Sequence, residues 1–330
     1  MHAMGSPPPA ARVLDLAHGA AHTHILGALA RLRIADHVAD QPRSLADLAS
    51  ATGAVPGRLD RLLRAATVLG LVQRTTEGKI TMTEVGACLR TGPGSMHDFA
   101  LMMSAPGQLR PLEHLSEAVR GKAAAEATLG QPIWAYYRER PGEGAAFAGA
   151  MSGVSAMISG QVAAVADVTG ARHIVDVGGG HGTLLRALLA TAPQAQGEVL
   201  DLPEVVAAAP PAERIRFTGG DFFRSVPAGG DVYLLQHVLH DWDDPEAERI
   251  LTVCRQAATP ASRLLIVETV LADEPGPLMP ELLDVHMMVM SGGMERRRAQ
   301  YGQLLDAADW QLAAVTVLPS GQSLLNATAR

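Results

Sequence analysis

Cysteine and aromatic residues are scarce in this chain of 330 residues. Its two cysteines, Cys88 and Cys254, lie far apart and in no spacing typical of a metal or redox site. With so few cysteines we expect no disulfide framework and a reducing, cytoplasmic compartment. Aromatic residues make up 4% of the chain, but hydrophobic residues make up 48%, which is enough to build sizeable cores.

Positive charge and long apolar runs are also missing. The chain has 27 Lys and Arg against 34 Asp and Glu, which gives a formal net charge of -7 at pH 7. This balance argues against a general affinity for nucleic acid or for anionic membranes. No apolar run reaches about 18 residues, so we expect no membrane span. Residues 1–11 are rich in proline and lack the basic and apolar regions of a signal peptide, so we expect a mobile tail there.

The N-terminal third has the pattern of short helices followed by a hairpin. Ser44 is a typical N-cap and Gly53 a typical end for one helix, while Pro56 opens a second helix that ends at Gly70. Two short strands over 71–82 complete the pattern of a winged-helix unit.

A winged helix allows a second interpretation, a transcriptional regulator. Arg58, Arg61 and Arg64 share one face of the second helix and could meet phosphates. A protein that reads DNA usually carries a basic surface, whereas this chain is acidic overall. A solvated helix face is therefore the favoured interpretation of the three arginines.

The C-terminal part alternates short β-branched runs with Ala- and Leu-rich helical segments. This alternation predicts a doubly wound α/β sheet, whose ligand lies at the carboxyl ends of the strands. The strand candidates are Ile174–Val177, Glu198–Asp201, Arg214–Thr218, Asp231–Leu235 and Leu264–Glu268. A final antiparallel hairpin is predicted over Trp310–Leu318 and Ser323–Ala327.

A cluster of glycines follows the first of these strands. The dinucleotide pattern G-x-G-x-x-G fails, because Thr183 stands where the third glycine belongs after Gly178 and Gly180. No lysine follows the glycines, so the pattern of a P-loop fails as well. Asp201 ends the next strand about 20 residues on, a position suited to ribose hydroxyls. A nucleoside without a pyrophosphate, such as S-adenosylmethionine, fits this pattern, although a glycine loop alone is a weak signal.

Five further motifs appear in a fixed order along the chain. They are Asp201–Val205, Gly220–Phe223, Leu239–Trp242, Val267–Thr269 and Gly293–Arg296. With the glycine loop, this set resembles the plant-type, S-adenosylmethionine-dependent small-molecule O-methyltransferases, which also occur in bacterial polyketide and aromatic pathways. The resemblance runs from about Ala20 to the C-terminus.

The resemblance implies a domain organisation and a set of partners. The family carries an N-terminal helical winged-helix domain that mediates homodimerisation, followed by a Rossmann-like methyltransferase domain. The expected divisions are a mobile tail (1–11), a winged-helix dimerisation domain (12–95), a helical connector that contributes to the acceptor pocket (96–168) and an S-adenosylmethionine-binding domain (169–330). The expected partners are a small aromatic acceptor and a second copy of the chain, with no nucleic acid and no membrane.

Methyl transfer to a phenol needs a proton acceptor, because a phenol with a pKa near 10 is largely protonated at neutral pH. Histidine is the usual general base under these conditions. His240 follows a predicted strand by a few residues and so lies near the ligand edge of the sheet. The resemblance implies that His240 is the general base and that Glu268 and Glu295 flank its imidazole.

The resemblance also implies the residues that bind the cofactor. Gly178 and Gly180 lie under its methionine part, Asp201 accepts from the ribose hydroxyls, and Asp221 and Phe222 flank the adenine. An indole at Trp242 can pack on the same ring. Gln236 stands where plant members usually carry a lysine, so its amide can bond the cofactor but supplies no charge.

The acceptor pocket is predicted to be lined by Phe147, Met151, Met287 and Met288. A mostly apolar wall suggests a polycyclic or polyketide-like aromatic, but methionine adapts to irregular shapes and does not define a size. The sequence does not distinguish oxygen from nitrogen or carbon acceptors.

Two alternatives concern the chemistry itself. Some bacterial relatives keep the cofactor but hydroxylate, decarboxylate or catalyse pericyclic reactions; the retained His240, Glu268 and Glu295 favour methyl transfer. Asp241 and the two acids after Trp242 resemble a metal cluster, but acidic residues are common at the start of a helix, so no metal is predicted.

Overall fold

The computed structural model describes residues 8–330 and divides after Leu109 into two units. The first unit contains α1 (Pro9–Ala17), α2 (Gly19–Arg31), α3 (Ile34–His37), α4 (Leu45–Thr52), α5 (Pro56–Val68), β1 (Val72–Arg74), β2 (Ile80–Met82), α6 (Glu84–Ala87), α7 (His97–Met103) and α8 (Pro106–Leu109). Of the predicted tail, residues 1–7 lie outside the described residues, and α1 already begins at Pro9.

Local capping signals set the winged-helix elements. The Ser44 hydroxyl accepts a hydrogen bond from the Asp47 N–H at 3.1 Å and so begins α4. Gly53 ends α4 in the left-handed conformation, with φ +66°. Pro56 is the first residue of α5, and β1 pairs with β2 in an antiparallel hairpin. The predicted N-terminal arrangement is therefore present.

Helices α7 and α8 belong to the first unit, although the sequence analysis assigned them to the connector. Ala100 of α7 is buried in the same core as Leu29 and Leu63. Arg31 of α2 also donates to the Ser104 hydroxyl at 3.0 Å. The burial of Ala100 and the hydrogen bond from Arg31 to Ser104 therefore assign this segment to the first unit. Both contacts join residues far apart in the sequence, so the local sequence pattern does not reveal them.

The second unit begins with helices and continues with the sheet. Its elements are η1 (Pro111–His114), α9 (Leu115–Ala118), α10 (Ala124–Leu129), α11 (Ile133–Glu139), α12 (Pro141–Val165), β3 (His173–Val177), α13 (Thr183–Thr191), β4 (Gln196–Asp201), α14 (Pro203–Ala208), β5 (Ile215–Gly219), β6 (Val232–Gln236), η2 (Leu239–Asp241), α15 (Asp244–Ala257), β7 (Arg263–Glu268), β8 (Val270–Leu271), α16 (Leu278–Met290), β9 (Arg296–Arg297), α17 (Arg298–Ala307), β10 (Trp310–Val317) and β11 (Ser323–Ala329).

Seven strands form one sheet in the order β10-β11-β7-β6-β3-β4-β5. Strands β3 to β7 are parallel, and β11 runs antiparallel to both β7 and β10. The chain moves from β3 to β4 and β5 on one side, then returns to place β6 on the other side of β3. This reversal of strand order makes a crevice at the carboxyl end of β3, where ligands bind in such sheets.

The predicted strands agree with the observed ones to within a few residues, and one boundary has an identifiable cause. Arg214 has φ +61°, a left-handed conformation that a strand does not accommodate, so β5 begins at Ile215. β6 begins one residue later than predicted, at Val232, and the carboxylate of Asp231 accepts from the N–H groups of Arg172 and His173.

By length and composition alone, α12 could cross a membrane, with a mean hydropathy of 1.3. No span was predicted here, because serine and glycine interrupt the apolar residues of this helix. A core helix of a soluble protein passes the same test. Ile158 and Val162 of α12 pack in a buried cluster with Leu185 of α13 and Val199 of β4, so this face of the helix belongs to the core, while 28% of the apolar window as a whole is buried.

Candidate functional site

The glycine loop lies at the carboxyl end of β3, beside the reversal in strand order. Gly178 and Gly180 have φ values of +70° and +56°, which glycine adopts without strain. A Cβ at Gly179 would lie 2.4 Å from Cγ of Asp176, whereas a Cβ at Gly180 would meet no atom within 4 Å. The loop is therefore packed on its inner side and open at Gly180.

Asp201 ends β4 beside this loop. Its carboxylate accepts from the Gly180 N–H and from the Leu202 N–H, both at 2.7 Å. Burial raises the pKa of Asp201, and these two backbone hydrogen bonds act in the opposite direction. Each carboxylate oxygen has two acceptor positions, so Asp201 can still accept from a ligand hydroxyl.

Three buried polar atoms near the loop have no hydrogen-bond partner among the described residues. They are Oδ1 of Asp176, Nε2 of His181 and Nε2 of Gln236. Oε1 of Gln236 accepts from Ser155 of α12 at 3.0 Å, and Nδ1 of His181 lies 3.3 Å from the hydroxyl of Ser152. Buried polar atoms are rarely left unpaired, so these three atoms mark a place where a polar ligand fits.

Asp176 was missed by the sequence analysis. Its side chain is buried within β3, and burial together with the charge of Asp201 raises the pKa of Asp176 to about 7. The signal was an acidic residue inside a strand that is otherwise apolar and fully buried. A cationic ligand group would stabilise the carboxylate form of Asp176.

Phe222 and Trp242 lie together on the far side of the glycine loop. Their ring centroids are 6.1 Å apart with an interplanar angle of 83°, and Phe223 contacts Trp242 edge-on at 4.7 Å. Asp221, in the same turn, is exposed and accepts from the N–H of Phe223 at 2.9 Å. The edge of Phe222 would come within 3.7 Å of a Cβ at Gly178, which places this aromatic group against the loop.

His240 lies in η2, directly after β6, and its side chain is buried. Its Nδ1 is 2.7 Å from a carboxylate oxygen of Glu295 and 3.5 Å from one of Glu268, while Nε2 is 3.8 Å from Asp241. The other oxygen of Glu268 accepts from the backbone N–H groups of Val238 and Leu239, at 3.1 and 3.0 Å. The structure thus brings together the histidine and both glutamates that the sequence analysis selected.

The charges of this cluster are strongly coupled. Burial alone would lower the pKa of His240, but the charges of Glu268, Asp241 and Glu295 outweigh it and raise that pKa to about 10. Burial raises the pKa of Asp241 to about 6, against the opposing charge of His240. Burial also raises the pKa of Glu268. The protonation states of His240, Asp241 and Glu268 therefore depend on one another.

Two further histidines face the charge on His240, and sequence reasoning missed both. The ring of His237 stacks on that of His240, with centroids 5.4 Å apart and an interplanar angle of 20°. Burial and the charge of His240 lower the pKa of His237 to about 3 and that of His286, on α16, to about 4. His237 also has φ +52°, a strained conformation for a residue other than glycine. The sign in the sequence was a second histidine, His237, three residues before His240.

The three groups His240, Glu268 and Glu295 each offer one atom within 4.8 Å of the others, a spacing that a metal ion could also use. The 2.7 Å separation of Nδ1 from Glu295 is that of a charge-assisted hydrogen bond. The acids after Trp242 have structural partners: Asp243 caps α15 through the Glu246 N–H, and Asp244 accepts from Arg296.

The predicted acceptor wall is brought together in part. Phe147 of α12 contacts Trp134 edge-on at 5.4 Å and stacks on Tyr137 at 4.9 Å. Phe147 and Met288 pack against the same apolar cluster, which includes Tyr136, Val289 and Met290. Met151 lies four residues after Phe147 on α12 and is half-buried. Met287 is buried on α16 but does not belong to this cluster.

Two family models match the chain. Residues 112–311 match the O-methyltransferase domain, and residues 14–92 match the O-methyltransferase dimerisation domain. The chain belongs to the O-methyltransferase family. This O-methyltransferase depends on S-adenosylmethionine, and its family agrees with the fold and the glycine loop described above.

Relatives of this O-methyltransferase match it over most of their length. A phenazine O-methyltransferase from Lysobacter antibioticus is 34% identical over 98% of this chain and 97% of its own. The 8-amino-8-demethylriboflavin N,N-dimethyltransferase of Streptomyces davaonensis is 34% identical over 88% of this chain and 87% of its own. A solved O-methyltransferase from neocarzinostatin biosynthesis, in complex with S-adenosylmethionine and 2-hydroxy-5-methyl naphthoic acid, has 33% identity and a TM-score of 0.77, covering 94% of this chain and 96% of that one.

The residues of the O-methyltransferase fit this cofactor. Two unpaired atoms, Oδ1 of Asp176 and Nε2 of Gln236, offer an acceptor and a donor of the kind that an amino-acid group requires. Asp201 keeps acceptor capacity for hydroxyls. The open position at Gly180 lets a ligand approach the backbone closely.

Proposed function

We propose that this O-methyltransferase transfers the methyl group of S-adenosylmethionine to a hydroxyl of an aromatic small molecule, with His240 as the general base. The observation that carries the proposal is the position of Nδ1 of His240, 2.7 Å from Glu295 and 3.5 Å from Glu268. Two carboxylates on Nδ1 hold the proton on that nitrogen. Nε2 is then the nitrogen that accepts a proton from the acceptor hydroxyl.

The chain's own groups stabilise the protonated base. When bound, the cofactor supplies a methyl group on a positively charged sulfur, an electrophile that needs no further activation. As Nε2 of His240 takes the hydroxyl proton, the imidazole becomes a cation surrounded by Glu268, Glu295 and Asp241. These carboxylates already face His240 before the reaction, so the developing charge meets a preorganised field.

The pKa values of base and acceptor are matched. The pKa of His240 is raised to about 10, and a phenol has a pKa near 10. A neutral histidine beside a phenol carries the same number of protons as a cationic histidine beside a phenolate. Either pair is one proton short of a cationic histidine beside a neutral phenol. The rate is therefore expected to rise with pH as that proton is lost.

We extend the proposal to the cofactor contacts. Gly178 and Gly180 provide the backbone surface under the methionine part, and Gln236 donates its free amide N–H to it. Asp201 accepts from the ribose hydroxyls. Asp221 accepts from the adenine amino group, with Phe222 and Trp242 packing on the adenine ring.

The acceptor class follows from the apolar wall and from the relatives. We infer that Phe147, Met151, Met287 and Met288 contact a planar aromatic acceptor, since aromatic and thioether groups pack well on aromatic rings. The relatives named for phenazine and the naphthoic acid complex support a fused or substituted aromatic system.

The test is a screen of phenolic acceptors in which release of S-adenosylhomocysteine and methylated product are both measured. Hydroxylated phenazines and naphthoates are included, with their amino analogues as a second set. Equal yields of S-adenosylhomocysteine and of O-methyl product support the proposal. Turnover of only the amino set would assign the protein to N-methylation, as in the riboflavin-related dimethyltransferase. Substrate consumption without S-adenosylhomocysteine would point to non-methylating chemistry.

A second test addresses the base. His240→Ala is expected to lower kcat by roughly 10²–10⁴-fold, the usual contribution of a general base, with cofactor affinity nearly unchanged. The control is His114→Ala, a half-exposed histidine of η1. A His240→Ala variant with kcat near that of the wild type would leave proximity as the source of the rate.

We also propose that the enzyme is a cytoplasmic homodimer. The match of residues 14–92 to a dimerisation domain supports this assembly. Helix α1 exposes Val13, Leu14 and Leu16, and none of its residues is buried in the single chain. Light scattering on purified protein is expected to give twice the 34.6 kDa mass of the chain; a monomer over the working concentration range would contradict the proposal.

A further inference from the structure

Arg296 is a fully buried arginine whose three donor groups all reach the loop around His240. Its Nη1 donates to the carbonyl of Leu239 and its Nη2 to the carbonyl of Trp242, both at 2.8 Å. Its Nε donates to the carboxylate of Asp244 at 2.9 Å. The guanidinium thus bonds the residue before His240, the second residue after it, and the first residue of α15.

The residues just before Arg296 contact the backbone carbonyl of His240, which lies between the carbonyls of Leu239 and Trp242 along the chain. The N–H of Met294 donates to the carbonyl of His240 at 2.9 Å. A Cβ at Gly293 would lie 2.0 Å from the same carbonyl oxygen, so the two backbones approach as closely as only glycine permits. The segment 293–296 therefore binds the backbone at Leu239, His240 and Trp242.

The same segment is tied to both glutamates of the site. Glu295 belongs to it, and the Glu295 N–H donates to Asp284 of α16 at 2.8 Å. Strand β9 pairs Arg296 with Val270, two residues after Glu268. The segment 293–296 therefore contains Glu295, bonds the backbone around His240, and pairs through Arg296 with the strand that follows Glu268.

We propose that Arg296 is a positioning residue for methyl transfer, because its guanidinium fixes the turn that carries His240. The inference rests on the proposed role of His240. A planar guanidinium bonds three acceptors in fixed directions, whereas a lysine ammonium is a compact point charge and cannot reproduce this fork. Without it the carbonyl of Trp242 loses this donor and that of Leu239 keeps only the Trp242 N–H, at 3.3 Å, so the turn is held less firmly.

The experiment compares Arg296→Lys with Arg298→Lys, an exposed arginine two residues on in α17. Arg296→Lys keeps the charge but loses the fork. We expect kcat to fall by roughly 10²-fold, the effect of misplacing a reacting group by about 1 Å. We expect the dissociation constant of S-adenosylmethionine to change far less than kcat, because the guanidinium bonds no residue of the glycine loop and reaches the adenine site only through the carbonyl of Trp242. Arg298→Lys is expected to match the wild type in both.

Two further readouts separate positioning from a loss of stability. In a His240→Ala background, Arg296→Lys is expected to cause little further loss of kcat, since it acts through the missing imidazole. In the NMR titration of His240, Arg296→Lys is expected to lower its pKa as Nδ1 moves from Glu295. An unchanged titration with unchanged kcat, or equal losses in both backgrounds, would overturn the proposal.

The same data separate this inference from the proposed base. A shifted titration of His240 in Arg296→Lys, together with full activity of His240→Ala, would show that Arg296 orients His240 but would remove the base, and with it the role of Arg296 in methyl transfer. If Arg296→Lys does not fold, Asp244→Asn is used in its place. This variant removes the charge of the exposed carboxylate that accepts from Nε of Arg296. It is then expected to give the same changes in smaller measure, and wild-type behaviour would overturn the proposal.

Discussion

Glu295→Gln removes one negative charge from His240 and keeps an oxygen in place to accept from Nδ1. The Glu295 carboxylate lies 2.7 Å from Nδ1. A charge so close shifts a pKa by about 1–3 units, which corresponds to roughly 1.4–4 kcal/mol between the two protonation states. Because the negative charge favours the cation, its removal lowers the pKa of His240. Glu268, at 3.5 Å, is unchanged, so the variant tests one charge.

The consequence is a shift of the pH dependence of kcat. With a pKa of about 10, only about one His240 in 10³ is neutral at pH 7. In Glu295→Gln the rising limb of kcat is expected to move down by about 1–3 pH units. The plateau at high pH is expected to fall, because a base with a lower pKa takes the proton less readily. The variant therefore loses most activity at alkaline pH and least near neutrality.

The assay is release of S-adenosylhomocysteine at saturating substrates, from about pH 6 to pH 10.5 in overlapping buffers. Glu248→Gln, an exposed glutamate of α15, is the control for loss of one negative charge. The ionisation of the acceptor itself is the same for both enzymes. A rising limb at the same pH in wild type and Glu295→Gln would assign that limb to the acceptor, and the reasoning about His240 would be wrong.

Three other predictions concern the cofactor site. Asp201→Ala is expected to weaken S-adenosylmethionine binding by roughly 10–100-fold, the value of a hydrogen bond to a charged group, with Glu213→Ala unchanged in the same calorimetric titration. Asp176→Asn is expected to stabilise the cofactor-free protein at alkaline pH: the folded-state pKa of Asp176 is about 7 against an ordinary 3.8, so stability falls as pH rises from about 4 to 7, by up to about 4 kcal/mol. Thermal unfolding should show this gain at pH 8 and little of it at pH 4; an equal gain at both would contradict it. Gly180→Ala is expected to weaken cofactor binding with only about 1 kcal/mol lost in stability, because its φ is +56° but no atom lies within 4 Å of the new Cβ.

The strands and the capped helices were predictable because their signals are local. β-branched runs gave the parallel strands, and Ser44 and Pro56 gave helix starts that the structure confirms. The boundary at Arg214 was not predictable, because its left-handed conformation accompanies hydrogen bonds from its guanidinium to carbonyls at the end of α13 and just beyond it.

The meeting of His240 with Glu268 and Glu295 was expected from a resemblance to a family, and nothing in the spacing of the three residues required it. Glu268 and Glu295 follow His240 by 28 and 55 residues (268 − 240 and 295 − 240). The fold brings their carboxylates to 3.5 and 2.7 Å from Nδ1 of His240. Arg296 stood inside a recognised motif without a role, because its acceptors are backbone carbonyls. Every residue has a backbone carbonyl, so the sequence does not show which carbonyls accept a hydrogen bond. Contacts of this kind are found only in the structure.

Strand β11 has a consequence for how the protein is made. It lies between β10 and β7, and its first residue, Ser323, pairs with Glu268 at the carboxyl end of β7. The edge of β7 therefore stays unpaired until the chain has been synthesised through residue 329. During synthesis this edge of β7 stays open, and an open strand edge is the kind of surface that associates with other chains. A nonsense mutation that removes only these last residues would thus produce an aggregating polypeptide rather than a slightly shortened enzyme.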